Sequence, residues 1–72
     1  MPLSLLETGK KARIVAVTGT DKTKKHLGSL GFIPGAVVEV VQSSAGNMIL
    51  GLHDSRIAVN DDMAKRLVVE PL

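Results

Sequence analysis

Apolar residues fall in short bursts along this chain, each stopped within about ten residues by glycine, proline or a charge. The first burst with strand character runs from Lys11 to Val17, after Thr8-Gly9. There Ala12, Ile14, Val15 and Val17 make a strand whose alternation with period two slips near Ala16. A bulge or burial on both faces accounts for such a slip. The rhythm then changes. Gly19-Thr20-Asp21 reads as a turn, Thr20 or Asp21 can cap a helix, and Lys22 to Leu30 puts Leu27 and Leu30 on one face. Gly31 stands where a left-handed C-terminal cap belongs.

Phe32-Ile33-Pro34-Gly35 reads as an apolar plug and a tight turn, with Pro34 presetting its backbone angle and Gly35 free to take positive φ. Val37 to Gln42 is rich in β-branched residues, and Ser43-Ser44-Ala45-Gly46-Asn47 connects it to a further strand, Met48 to Leu52. His53-Asp54 makes the next turn, and Arg56 to Val59 a short strand. Asn60 can cap a helical turn over Asp61 to Lys65, and Leu67 to Glu70 supplies a closing strand. Five short strands, one short helix and a helical turn predict a mainly β fold. Barrel closure would protect the edges of so small a sheet, and an SH3-like barrel fits best.

Seventy-two residues leave room for a single domain over 1–72, and Phe32 is the only aromatic, so the core is expected to be aliphatic. Cysteine is absent, which excludes disulfides and thiol chemistry. The start lacks the basic stretch and long apolar run of an export signal, and no run approaches the roughly 20 apolar residues of a membrane span. A soluble, cytoplasmic protein is the expectation. Net charge is +2, but Lys10, Lys11, Arg13, Lys22, Lys24 and Lys25 crowd the first half against Glu7 and Asp21. Such asymmetry suits an acidic partner or simply a solvated surface.

Leu27-Gly28-Ser29-Leu30-Gly31-Phe32-Ile33-Pro34-Gly35, followed by Val38-Glu39-Val40, resembles the signature of the ferrous iron transport protein A (FeoA) family. The ending is similar too, in Ile57-Ala58-Val59, Ala64 and Leu67-Val68-Val69-Glu70, as is the opening, in Leu3, Leu6, Gly9 and Ile14. Leu27, Leu30, Gly31, Pro34 and Gly35 read as core contacts, cap and turn, so the motif specifies fold. The resemblance implies a non-catalytic adaptor of bacterial iron homeostasis that partners FeoB, a ferrous iron permease carrying a GTP-binding domain. The same small barrel also ends iron- and manganese-dependent repressors. The second function class is therefore a metalloregulator-like module that senses a transition metal or binds nucleic acid. Since the chain begins at Met1 with no helix-turn-helix in front, the free-standing adaptor is favoured.

Catalysis is not expected. Gly19-Thr20-Asp21-Lys22 lacks the spacing and second glycine of a phosphate-binding loop, and nothing near His26 or His53 resembles a nucleophile with its base. No cofactor is required by the pattern. His26, His53, Asp54, Asp61 and Asp62 carry potential metal ligands, but the spacing supports at most weak transition-metal binding at His26, His53 or Asp54. A homo-oligomer remains open. Nucleic acid is not an expected partner, since stacking needs aromatics and the net charge is modest. With Leu27 and Leu30 inward, Lys24, Lys25 and Ser29 should face out, with His26 near the border. That stretch is the candidate surface for an acidic patch on the permease.

Overall fold

The computed structural model describes residues 1–72. Its strands form where alternation lets one face meet the core, which is mostly aliphatic but takes in Phe32, its largest fully buried side chain. β1 (Lys11–Val17) buries Ala12 and Ile14, and β2 (Val37–Ser44) buries Val38 and Val40. β3 (Asn47–Leu52) contributes Met48, Leu50 and Leu52, β4 (Ser55–Asn60) Val59, and β5 (Leu67–Pro71) Leu67 and Val69. No polar or charged residue is buried, so nothing inside needs a metal or an ion partner.

The five strands make one antiparallel sheet in the order β4-β3-β2-β1-β5. The slip near Ala16 is a bulge: Ile14 faces Val69 and Ala16 faces Val68, which leaves Val15 as the extra residue. A second bulge at Val41, between the Val40–Leu50 and Gln42–Ile49 pairs, was not legible in the sequence. Bulges add local twist and bend the strand, which lets so small a sheet wrap its core.

The mainly β class and the strand count are as expected, but strand pairing does not close the barrel. β4 and β5 are the two edges. The edge of β5 that would have to meet β4 is already taken by the N-terminal segment. Pro2 bridges Val68, the Met1 carbonyl accepts from the Val69 N–H at 2.8 Å, and the Met1 amine donates to the Val69 carbonyl at 2.8 Å. A 3-10 turn at Leu3–Leu5, absent from the sequence reading, follows that segment and sinks Leu3 into the core. α2 (Asp61–Lys65) carries the chain from β4 to β5 and buries Ala64.

α1 (Asp21–Ser29) is bounded by side-chain and backbone chemistry rather than by propensity. The Thr20 hydroxyl oxygen accepts from the Thr23 N–H at 3.2 Å, which settles the N-cap on Thr20. At the other end the Gly31 N–H donates to the Gly28 carbonyl at 3.0 Å and the Phe32 N–H to the Leu27 carbonyl at 3.1 Å. This paired arrangement is a Schellman cap, with Gly31 at φ 102°. Leu27 and Phe32, the residues joined by the longer loop, are both fully buried. The β2–β3 turn is tighter than expected, with Ala45-Gly46 alone between the strands, and His53-Asp54 joins β3 to β4 as anticipated.

Candidate functional site

The outer face of α1 carries Lys24, Lys25, His26 and Ser29, all exposed; His26 is therefore out in solvent and not at a border. Docking of the helix is due mainly to Leu27, fully buried, while Leu30 is only half-buried at the edge of the core. Lys22 is exposed as well, and with Lys25 and Ser29 it lies at i, i+3 and i+7, one outward stripe of a helix. Three lysines against Asp21 make this face basic. The Ser29 hydroxyl donates to the His26 carbonyl at 2.6 Å, so its hydrogen is committed to the last helical turn.

The fold adds a cation that chain order hides. A Cβ at Gly19 would sit 3.4 Å from Cδ of Arg66, which places the stem of that arginine against the turn leading into α1. The anchoring is through backbone: the Arg66 carbonyl accepts from the Thr18 N–H at 2.8 Å and from the Thr18 hydroxyl at 3.3 Å. Arg66, Thr23, Asn60, Asp62 and Met63 line a depression of about 220 Å³ between the first turn of α1 and α2. Charge on this side of the molecule is thus built from residues more than forty positions apart. Lys10 and Lys11, grouped with these lysines in the sequence, line a different depression beside Leu5 and Leu72.

The metal candidates divide between two places. His26 is on α1, whereas His53 and Asp54 form the β3–β4 turn, with His53 at φ 56°. The sheet register brings Glu39 opposite Gly51, and Glu39, His53, Asp54 and Arg56 line a depression of about 270 Å³ together with Gly51. Glu39 was not among the sequence candidates, and only strand register could have supplied it. Nowhere do three His, Asp or Glu side chains gather closely enough to hold a metal ion. What the outer face of α1 presents is exposed positive charge.

Comparison with known proteins places these features in a family. The FeoA domain profile matches residues 1–71. The crystal structure of an iron uptake regulatory protein (FeoA) superposes with a TM-score of 0.94 at 30% identity, over 100% of this chain and 97% of that one. The zinc complex of Stenotrophomonas maltophilia FeoA, described as a prokaryotic SH3 domain protein, gives 0.85 at 28% identity over 97% of this chain and 89% of that one. A manganese-dependent transcriptional repressor in complex with manganese shares the fold at 14% identity, with a TM-score of 0.91 over 100% of this chain but 36% of its own. No match is found among curated protein sequences. The profile spans almost every residue, and these two FeoA structures, at 30% and 28% identity, superpose over 97% and 89% of their own length: the chain belongs to the FeoA family.

Proposed function

We propose that this FeoA-family protein is a non-catalytic adaptor of ferrous iron uptake that binds the cytosolic part of the FeoB GTPase permease. The family match over residues 1–71 is the observation that carries the reading. The Stenotrophomonas maltophilia relative has been considered as a bacterial ferrous iron transport activating factor, which fits an accessory role. In this reading the chain works in the cytoplasm against the membrane-held permease. No helix of its own is long and apolar enough to cross a membrane.

The docking surface is the exposed basic face of α1, with Lys24, Lys25, His26 and Ser29 and the flanking Lys22, set against an acidic patch on the permease. Leu27 and Gly31 serve this surface indirectly, by fixing the helix on the sheet. Calorimetry of the chain with the permease's cytosolic portion, run with and without Fe²⁺, tests the proposal. Binding that weakens with salt and is indifferent to Fe²⁺ is expected. Absence of binding in both arms would overturn the adaptor reading, and binding of Fe²⁺ by the chain alone would favour the metalloregulator-like class.

A further inference from the structure

The two edges of the sheet are treated differently. The outer edge of β5 is covered by the chain's own N-terminus through the Pro2–Val68 bridge and the paired Met1–Val69 bonds. β4 has one strand neighbour, β3. Which groups β4 leaves outward follows from the ladder. The β3–β4 register runs unbroken from Asn47–Asn60 to Leu52–Ser55, and the Asp61 N–H donates to the Gly46 carbonyl at 3.1 Å just beyond it. Bonded and non-bonded pairs alternate in an antiparallel ladder. Counting from Gly46–Asp61, the bonded pairs are Met48–Val59, Leu50–Ile57 and Leu52–Ser55. Arg56 and Ala58 therefore turn their N–H and C=O groups away from β3, and no backbone bond outside the regular elements uses those groups.

Open edges are usually guarded by proline, bulges, charged side chains or a covering helix or loop. β4 has neither proline nor bulge, and Arg56 is the single charge along it. We infer that the β4 edge is a pairing surface for a second copy of this chain, antiparallel about a twofold axis at Ala58. Charge selects both the occupant and the register. An axis at Arg56 would set two guanidiniums directly opposite, and one at Ile57 would leave them on a diagonal of about 7–8 Å. An axis at Ala58 separates them by four strand residues, about 13 Å at ~3.3 Å each. It also sets each Arg56 opposite Asn60 of the second copy, next to the acidic first turn of that copy's α2, Asp61 and Asp62. Ile57 then meets Val59 across the interface, extending the apolar inner face, while the small Ala58 sits at the centre without obstruction. The edge is thus complementary to itself in one register.

The test combines residue-resolved amide exchange with sedimentation velocity on the intact chain, from dilute to millimolar concentration. Protection of the Arg56 and Ala58 amides should rise about fivefold or more with concentration, alongside the sedimentation coefficient, while Ile57 and Val59 stay protected throughout. Ala58→Pro deletes an outward N–H and no β3–β4 bond, so it should fold and remain monomeric. Ala58→Lys is a second edge-blocking variant with the same expectation, should the proline strain the strand. Arg56→Glu should weaken association, and adding Asp61→Lys and Asp62→Lys should restore it. A chain that stays monomeric at millimolar concentration overturns the inference. So does protection of Arg56 and Ala58 that is independent of concentration, which would mean another occupant, or self-association of Ala58→Lys at the wild-type level.

Discussion

Gly31 is the position where backbone and packing can be separated by experiment. Its φ of 102° lies on the left-handed side, where a residue with a Cβ loses about 1–2 kcal/mol. A Cβ there would also stand 2.7 Å from Cδ2 of Leu52, a core residue only 4% exposed. Relieving that contact means pushing the leucine off its rotamer or moving the sheet beneath it, an overpacking cost of about 1–3 kcal/mol. Gly35 has nearly the same φ, 94°, but nothing within 4 Å of its Cβ position. Gly35→Ala should therefore cost about 1–2 kcal/mol and Gly31→Ala about 3. The unfolded-state entropy that alanine removes acts at both sites and cancels in the comparison. A domain of this size holds roughly 4–11 kcal/mol in all, so Gly31→Ala should lower the thermal midpoint by about 12–24 °C. Urea unfolding at constant m-value supplies the free energies. Leu52→Val removes the offending Cδ2, and in that background Gly31→Ala should cost no more than Gly35→Ala. Equal costs for the two alanines in the wild-type background, within about 0.5 kcal/mol, would refute the close approach of the cap to β3.

The other expectations are simpler. Thr20→Ala and Asn60→Ala each remove a capping oxygen, bonded at 3.2 Å to Thr23 N–H and 2.8 Å to Met63 N–H, and should each cost about 0.5–2 kcal/mol by chemical denaturation. Chelator should leave cooperative thermal unfolding unchanged, because the core is wholly apolar; a lowered midpoint would restore a structural metal to the account. Lys24→Glu with Lys25→Glu should slow association with the permease's cytosolic portion and flatten its salt dependence. Stability of that double variant should stay within about 0.5 kcal/mol of wild type, and association rates equal to wild type at low and high salt would remove α1 as the docking face.

Local chemistry made most of the fold legible. β1 is bounded as the alternation suggests, and α1 and the remaining strands differ from it by one or two residues at their ends. Thr20, Asn60, Gly31 and the His53-Asp54 turn were readable because each rests on a short-range backbone requirement. What was missed depends on distant pairing. The bulge at Val41 exists only relative to β3, and the open barrel follows from Met1 and Pro2 occupying the edge of β5. The 3-10 turn at Leu3–Leu5 is too short to show a period, although Leu3 proves wholly buried.

Family membership was legible by a different route, and the difference has a mechanical consequence. The signature that betrays the family is made of residues that build the fold: Leu27 and Phe32 are buried, and Gly31 and Gly35 have positive φ. Leu27 and Phe32, being buried, act on a partner only through what they hold in place, and Gly31 and Gly35 set the backbone around them. The charges that can touch one, Lys22, Lys24 and Lys25 on α1 with Arg66 nearby, follow no motif, and the arginine joins them only because β5 begins beside β1's end. Substitutions in the signature should therefore lower binding only in proportion to the unfolded fraction, and added stability should rescue them. Substitutions in the lysines should lower binding of a fully folded protein, beyond rescue by stability. Measuring binding against folded fraction for both sets sorts scaffold from surface, and a signature variant that stayed folded yet failed to bind would place the contact on the cap itself.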